Sequence, residues 1–286
     1  MSDRSDARPQ PLVVHEGLAV YAFGKGEPSL LMPYPHAATV VGDPTLTFVV
    51  CGFEALGRRV VTFDPPGSGR SSRPMRLGME EMLECTQEAL RVCGVEGPVD
   101  VIGHSQAGFA ALAFAIERLE RVRRLVLVGA GPGGPSWMRA EGAIWNRSHP
   151  DYWRFGLRSS LYFFSRRLAA QKLMHNLIFR DSYVDQELFI AEPISSLDWL
   201  RPAHPRIRWG LVARRLDYRP RLREVHAPTL LLAGRHDPQM PPACSEEMAR
   251  GIPKARLVVF ERSGHYPFIE EPEAFFEAVK GWVERN

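Results

Sequence analysis

Long apolar runs are missing from this chain. None of its 286 residues lies in a stretch near the roughly 20 apolar residues that span a bilayer, so no membrane partner is expected. Charge of one sign is scarce too. The formal net charge is +3, which provides no basic field for a nucleic acid. Cysteine is sparse: Cys51, Cys85, Cys93 and Cys244 are spread out, with no Cys-x-x-Cys. Cys85 and Cys93 fall in one predicted helix, roughly 12 Å apart at 1.5 Å per residue, too far to bridge. Reduced, buried thiols and a cytoplasmic location are expected. The first residues, Met1 to Arg8, are polar and lack an apolar signal core. There is no His-Glu-x-x-His, and Gly67-Ser68-Gly69 is too short for a dinucleotide loop, so neither metal nor cofactor is expected.

What is present is a serine in a particular place. Residues 99–108 read Val-Asp-Val-Ile-Gly-His-Ser-Gln-Ala-Gly. Val99–Ile102 predicts a buried strand that breaks at Gly103, and an Ala-rich helix begins just past Ser105. A serine on so tight a turn holds a strained backbone, and its neighbours must be small because strand and helix nearly touch. Its hydroxyl projects above the sheet edge beside the helix N-terminus. A serine N-cap is the plain alternative. A nucleophile needs a base, and the base needs an orienting acid. Both lie downstream. Strand Thr229–Ala233 runs into Gly-Arg-His-Asp, which ends at Asp237. Strand Ala255–Phe260 runs into Glu-Arg-Ser-Gly-His-Tyr-Pro, which contains His265. Strand ends share one rim in an open parallel sheet, so Ser105, Asp237 and His265 are expected to converge.

The rest of the chain alternates. Strands are predicted at 29–32, 60–63, 99–102 and 124–128, with helices at 46–56, 80–92 and 106–117 between them. Val13–Phe23, interrupted near Glu16-Gly17, predicts an edge hairpin. The pattern resumes near 227 with strand, helix (242–250), strand and a last helix (272–284). Such alternation means an α/β fold, with a mostly parallel sheet flanked by helices. Residues 1–10 are expected to be a loose tail.

The elbow, the Ser, acid, His order, and Phe63-Asp-Pro-Pro-Gly-Ser-Gly-Arg-Ser71 together resemble the α/β-hydrolase superfamily. The resemblance runs from about Leu12 to Glu284. Its nearest shade is that of proline-iminopeptidase-like and related small-molecule hydrolases, although the Gly-Gly-Ser-Trp-Gly elbow of that subgroup is absent. Two departures stand out. Ala107 replaces the usual elbow glycine, with Gly108 one place later. Met32-Pro33-Tyr34-Pro35 stands where the family carries His-Gly-x-Pro. Aligning Pro35 with the family's proline makes Tyr34 an oxyanion donor through its backbone amide, since Pro33 and Pro35 carry no amide hydrogen. The Gln106 amide is the implied second donor.

The resemblance further implies an inserted helical cap at 136–223, with the hydrolase core at 11–135 and 224–286. The insertion follows the breaker segment Gly129–Pro135 and has no clear strands. It holds five of the six tryptophans. Trp145, Trp153, Phe163, Phe164, Trp199 and Glu192 are the candidate pocket residues, against the alternative that the aromatics simply form the cap's own core. The expected reaction is acyl transfer to water on a small-molecule ester, lactone, thioester or amide. Ser105 is the nucleophile, His265 the base and Asp237 its orienting acid. A proline iminopeptidase is the second reading, and it needs Glu187, Glu192 or Asp198 near Ser105 to hold an amino group. A hydrolase-fold ligand-binding or receptor protein with negligible turnover is the third.

Overall fold

The structure, a computed structural model, describes residues 11–35, 44–74, 78–165, 168–189 and 212–286. The chain enters through β1 (Val13–His15), β2 (Leu18–Phe23) and β3 (Glu27–Leu31). It continues through α1 (Pro44–Ala55), β4 (Arg58–Phe63), α2 (Met79–Val92), β5 (Val99–His104), α3 (Ala107–Glu117) and β6 (Val122–Val128). Three helices come next: α4 (Gly134–Trp137), α5 (Tyr152–Phe164) and α6 (Leu168–Arg180). The last stretch is β7 (Thr229–Gly234), α7 (Pro242–Gly251), β8 (Ala255–Phe260), α8 (Pro267–Glu270) and α9 (Pro272–Val283).

The strands form one sheet in the order β1-β2-β4-β3-β5-β6-β7-β8. The β1–β2 hairpin joins antiparallel at one edge, and the strands from β4 to β8 pair parallel. The hairpin turns at Glu16 and Gly17, both at positive φ (47° and 79°). Alternate side chains feed opposite faces, as strand geometry requires. Leu30, Val101, Leu125 and Leu231 pack with Leu83, Leu90 and Phe114 on the α2/α3 side. Leu31, Ile102, Val126 and Leu232 pack with Phe53, Phe275 and Trp282 on the α1/α9 side. Burial on both faces is why these strands read as nearly continuous apolar runs.

A buried carboxylate departs from that apolar rule. Asp100, near the start of the central strand β5, is buried. It accepts from Arg58 on β4, from Arg123 Nε (2.9 Å), and from Arg124 Nε and Nη2 (2.8 and 2.9 Å). A carboxylate survives there because guanidinium groups surround it.

β5 extends two residues further than its apolar pattern suggests, since Gly103 and His104 still pair with Leu127 and Val128 of β6. No helix among the described residues is long and apolar enough to cross a membrane.

Candidate active site

The chain leaves β5 directly into Ser105, whose φ is +52°. A non-glycine residue in the left-handed region is strained unless its surroundings hold it there. Ser105 N donates to Val128 O (2.9 Å), and Gly108 N donates back to Ser105 O (2.9 Å). The small residues around the turn are required by contact. A Cβ on Gly103 would lie 2.7 Å from Ala111 Cβ and 2.9 Å from Gly108 Cα. One on Gly108 would lie 2.5 Å from Ala130 Cβ. Position 107 has room, and Ala107 is simply buried there. The glycine this elbow needs is therefore the one at 108.

Asp237 and His265 meet at the same rim. His265 Nδ1 lies 2.7 Å from Asp237 Oδ2, and both side chains are buried. The other carboxylate oxygen, Oδ1, accepts from Gln239 N (2.8 Å) and Met240 N (2.9 Å). The acid is thus fixed by its own loop. A carboxylate partner makes Nδ1 the protonated nitrogen, so Nε2 is left as the acceptor. The His265 backbone is pinned as well, with its N–H donating to Ser182 O (2.8 Å). Glu270 braces the loop from the other side, accepting from Gly264 N and Val184 N at 2.7 Å each. Burial pushes the Glu270 carboxyl up from its ordinary value.

Gln106 opens α3. Its backbone N–H makes no hydrogen bond among the described residues, as expected at a helix start, and its buried Oε1 has no partner either. Tyr34 follows β3 and enters the site by its side chain too. Its hydroxyl lies 2.6 Å from His104 Nδ1. His104 Nε2 lies 2.9 Å from His265 O. No local signal in the sequence pairs residues so distant along the chain.

The loop after β4 is held by its own buried hydrogen bonds. Buried Asp64 accepts from Tyr21 Oη (2.7 Å) and Arg70 N (2.8 Å), while Ser71 Oγ accepts from Ala19 N (2.9 Å). His236, the other histidine near the acid, is exposed.

The pocket candidates fare unevenly. Trp145 is half-buried, in edge contact with Trp137 (4.9 Å) and Phe155 (4.6 Å). Trp153 departs from expectation. It stands 79% exposed on α5, because the buried side of that helix is carried by Phe155 and Tyr162. The side chains of Phe163 and Phe164, and all of Glu192, Asp198 and Trp199, lie outside the described residues. Glu187 is exposed. A small cleft lies beside the acid loop, lined by Phe155, Arg158, Ile178, Ser182, Pro238 and others, but not by Ser105. His15, Glu16 and Glu88 gather elsewhere, but Arg73 forks Glu88 (2.8 Å twice) and Arg91 meets His15 (3.2 Å), which makes that cluster an ion-pair network.

The family described as alpha/beta hydrolase fold matches residues 47–272. The chain is 31% identical over 236 residues to a 2-hydroxy-6-oxononadienedioate/2-hydroxy-6-oxononatrienedioate hydrolase of Dechloromonas aromatica, covering 79% of this chain and 76% of that protein. It is 30% identical over 230 residues to a pimeloyl-[acyl-carrier protein] methyl ester esterase of Nitrosomonas europaea, covering 76% and 82%. Among solved structures, an alpha/beta fold family hydrolase from Bacillus anthracis superposes with a TM-score of 0.76 at 22% identity, covering 93% of this chain and 95% of that one.

Proposed function

The chain belongs to the α/β-hydrolase family, and from that membership we propose that it is a serine hydrolase acting on a small carbonyl substrate. The observation that carries the reading is the pairing of a strained Ser105 (φ +52°) with a buried Asp237–His265 bond of 2.7 Å at the same strand-end rim. Ser105 Oγ attacks the carbonyl carbon while His265 Nε2 takes its proton. Asp237 holds the ring in the required tautomer and stabilises the imidazolium. His265 then returns the proton to the leaving group. Water repeats the sequence on the acyl-enzyme and frees Ser105. The Tyr34 and Gln106 amides receive the developing oxyanion, each worth about 3 kcal/mol in the transition state.

Residues 136–223 act in this reading as a helical cap that supplies the substrate pocket. The described part carries α4, α5 and α6 and no strand. It also touches the catalytic loops. Ser182, just beyond α6, accepts from His265 N with its carbonyl and from Gln239 Nε2 (2.8 Å) with its hydroxyl.

Two carbonyl classes follow from the named relatives: an ester and an oxo-dienedioate. We place the ester first, as the constellation itself suggests. The iminopeptidase reading ranks below both, because the one described carboxylate offered for it, Glu187, is exposed. The test is a turnover screen with p-nitrophenyl esters, a methyl ester, 2-hydroxy-6-oxononadienedioate and proline naphthylamide, beside Ser105→Ala. Ester turnover lost in Ser105→Ala supports the reading. Turnover that survives in folded Ser105→Ala refutes it.

A further inference from the structure

Three catalytic segments meet on one side chain that the proposed mechanism does not use. His104 immediately precedes Ser105 and is almost wholly buried. Its Nε2 faces the backbone oxygen of His265 at 2.9 Å, and its Nδ1 faces the Tyr34 hydroxyl at 2.6 Å. A carbonyl oxygen only accepts, so Nε2 carries the proton. In a neutral ring Nδ1 is then bare and accepts from the Tyr34 hydroxyl. The hydrogen bonds run one way, from Tyr34 through His104 to the carbonyl of His265.

The two imidazoles sit with ring centroids 4.7 Å apart, and they hold opposite tautomers: His265 is protonated on Nδ1, His104 on Nε2. Tyr266 (5.3 Å) and Phe268 (5.1 Å) close the rest of the box around His104. Burial and the neighbouring His265 hold His104 well below the usual histidine range, so it stays neutral. Its neutrality matters to its neighbour: a cation at 4.7 Å would oppose the imidazolium that His265 forms in each half-reaction.

We infer that Tyr34 and His104 are positioning residues for this site: the Tyr34 hydroxyl orients the His104 ring, and His104 fixes the backbone of the base loop relative to the serine turn. The inference rests on the reading of Ser105, His265 and Asp237 as the reacting groups. It gives Tyr34 a second role through its side chain, separate from its amide. It also gives a physical use to the departure at Met32-Pro33-Tyr34-Pro35, where a tyrosine between two prolines supplies the donor that His104 needs. Neither residue exchanges a proton with substrate.

The test compares wild type with Tyr34→Phe, His104→Gln, His104→Phe and the double variant Tyr34→Phe/His104→Phe. Reactive sites are counted with a fluorophosphonate, and kcat is expressed per labelled serine. Loss of the hydroxyl alone is expected to lower kcat about tenfold, and loss of both ring nitrogens about a hundredfold, the scale of a misplacement near 1 Å. KM changes little, because substrate contacts remain. The double variant is no worse than His104→Phe, since the two act in series. His104→Gln recovers part of the loss, because its carboxamide can again donate to the His265 carbonyl. Nitrogen-15 NMR of the wild type shows the His104 proton on Nε2.

A purely structural pair behaves otherwise: Tm and the labelled fraction fall while kcat per labelled serine stays at the wild-type value, and that result overturns the inference. So does a His104 proton found on Nδ1. If His104→Phe does not fold, Tyr34→Phe, which removes a single oxygen, decides the matter. Failure of wild-type Ser105 to label is a different failure. It removes the triad reading first and this inference with it.

Discussion

Gly129 and His265 approach so closely that any side chain at 129 would press on the Asp237–His265 pair. A Cβ on Gly129 would lie 3.1 Å from His265 Nδ1 and 3.2 Å from Asp237 Oδ2, the two atoms of the acid–base bond. Gly129 also holds φ +48°, a region that costs an L side chain strain. Gly129→Ala is therefore expected to wedge the pair apart and lower kcat by about a hundredfold. Steady-state kinetics on an ester substrate checks this, with circular dichroism to confirm the fold. Wild-type kcat in a folded Gly129→Ala would contradict the geometry.

His104 makes stability depend on pH. Burial lowers its affinity for a proton in the folded state, whereas the unfolded chain binds one near pH 6.5. Above about pH 6.5 the group is neutral in both states and its contribution is fully present. Below that, the unfolded state takes up a proton that the folded state refuses, and stability falls. From this group alone, urea unfolding should show a loss of about 1.4 kcal/mol between pH 7.5 and 5.5. The loss should be missing from the curve of His104→Gln, and so should appear in the difference between the two proteins. Parallel curves for the two proteins would show that His104 protonates as easily folded as unfolded.

Asp100 is the counter-charge for a buried arginine group. Burial already pushes the Arg58 guanidinium down from its ordinary value, so the carboxylate is what keeps these cations tolerable. Asp100→Asn keeps the shape but removes the charge, and is expected to cost about 3–5 kcal/mol in urea unfolding. The rim that carries Ser105 is at the other end of the strands, so kcat of the folded fraction should change little. A loss below 1 kcal/mol, the worth of an exposed ion pair, would mean that this network is solvated.

The oxyanion site has a direct structural prediction. In a complex with a boronate bound to Ser105, one boronate oxygen should lie about 2.7–3.1 Å from both the Tyr34 and Gln106 amide nitrogens. The Gln106 N–H, without a partner among the described residues, is ready for that bond. A boronate oxygen turned to solvent, away from Tyr34 N, would remove Tyr34 from the hole.

Much of this arrangement was legible in the residues, for a local reason. Each of Ser105, Asp237 and His265 follows an apolar run, and a buried parallel strand must deliver its C-terminal loop to the common rim. The limits of the reading are also local. β5 runs on to His104 because Gly103 and His104 keep their ladder bonds to β6, which an apolar pattern does not register. Trp153 looks like a core residue by type, yet α5 turns it outward, and only the packing of the neighbouring helix decides that. The Tyr34–His104–His265 chain joins residues 70 and 161 positions apart. Its existence depends on ring orientation, which no spacing encodes.

The claim on which the account depends is that Ser105 is the nucleophile. Treating the protein with a fluorophosphonate and mapping the adduct by peptide mass spectrometry tests it most directly. One adduct per chain is expected, on the peptide containing Ser105, and none in Ser105→Ala. That variant should also lose about three to six orders of magnitude in kcat. An adduct on another serine, or turnover near wild type in folded Ser105→Ala, would contradict it.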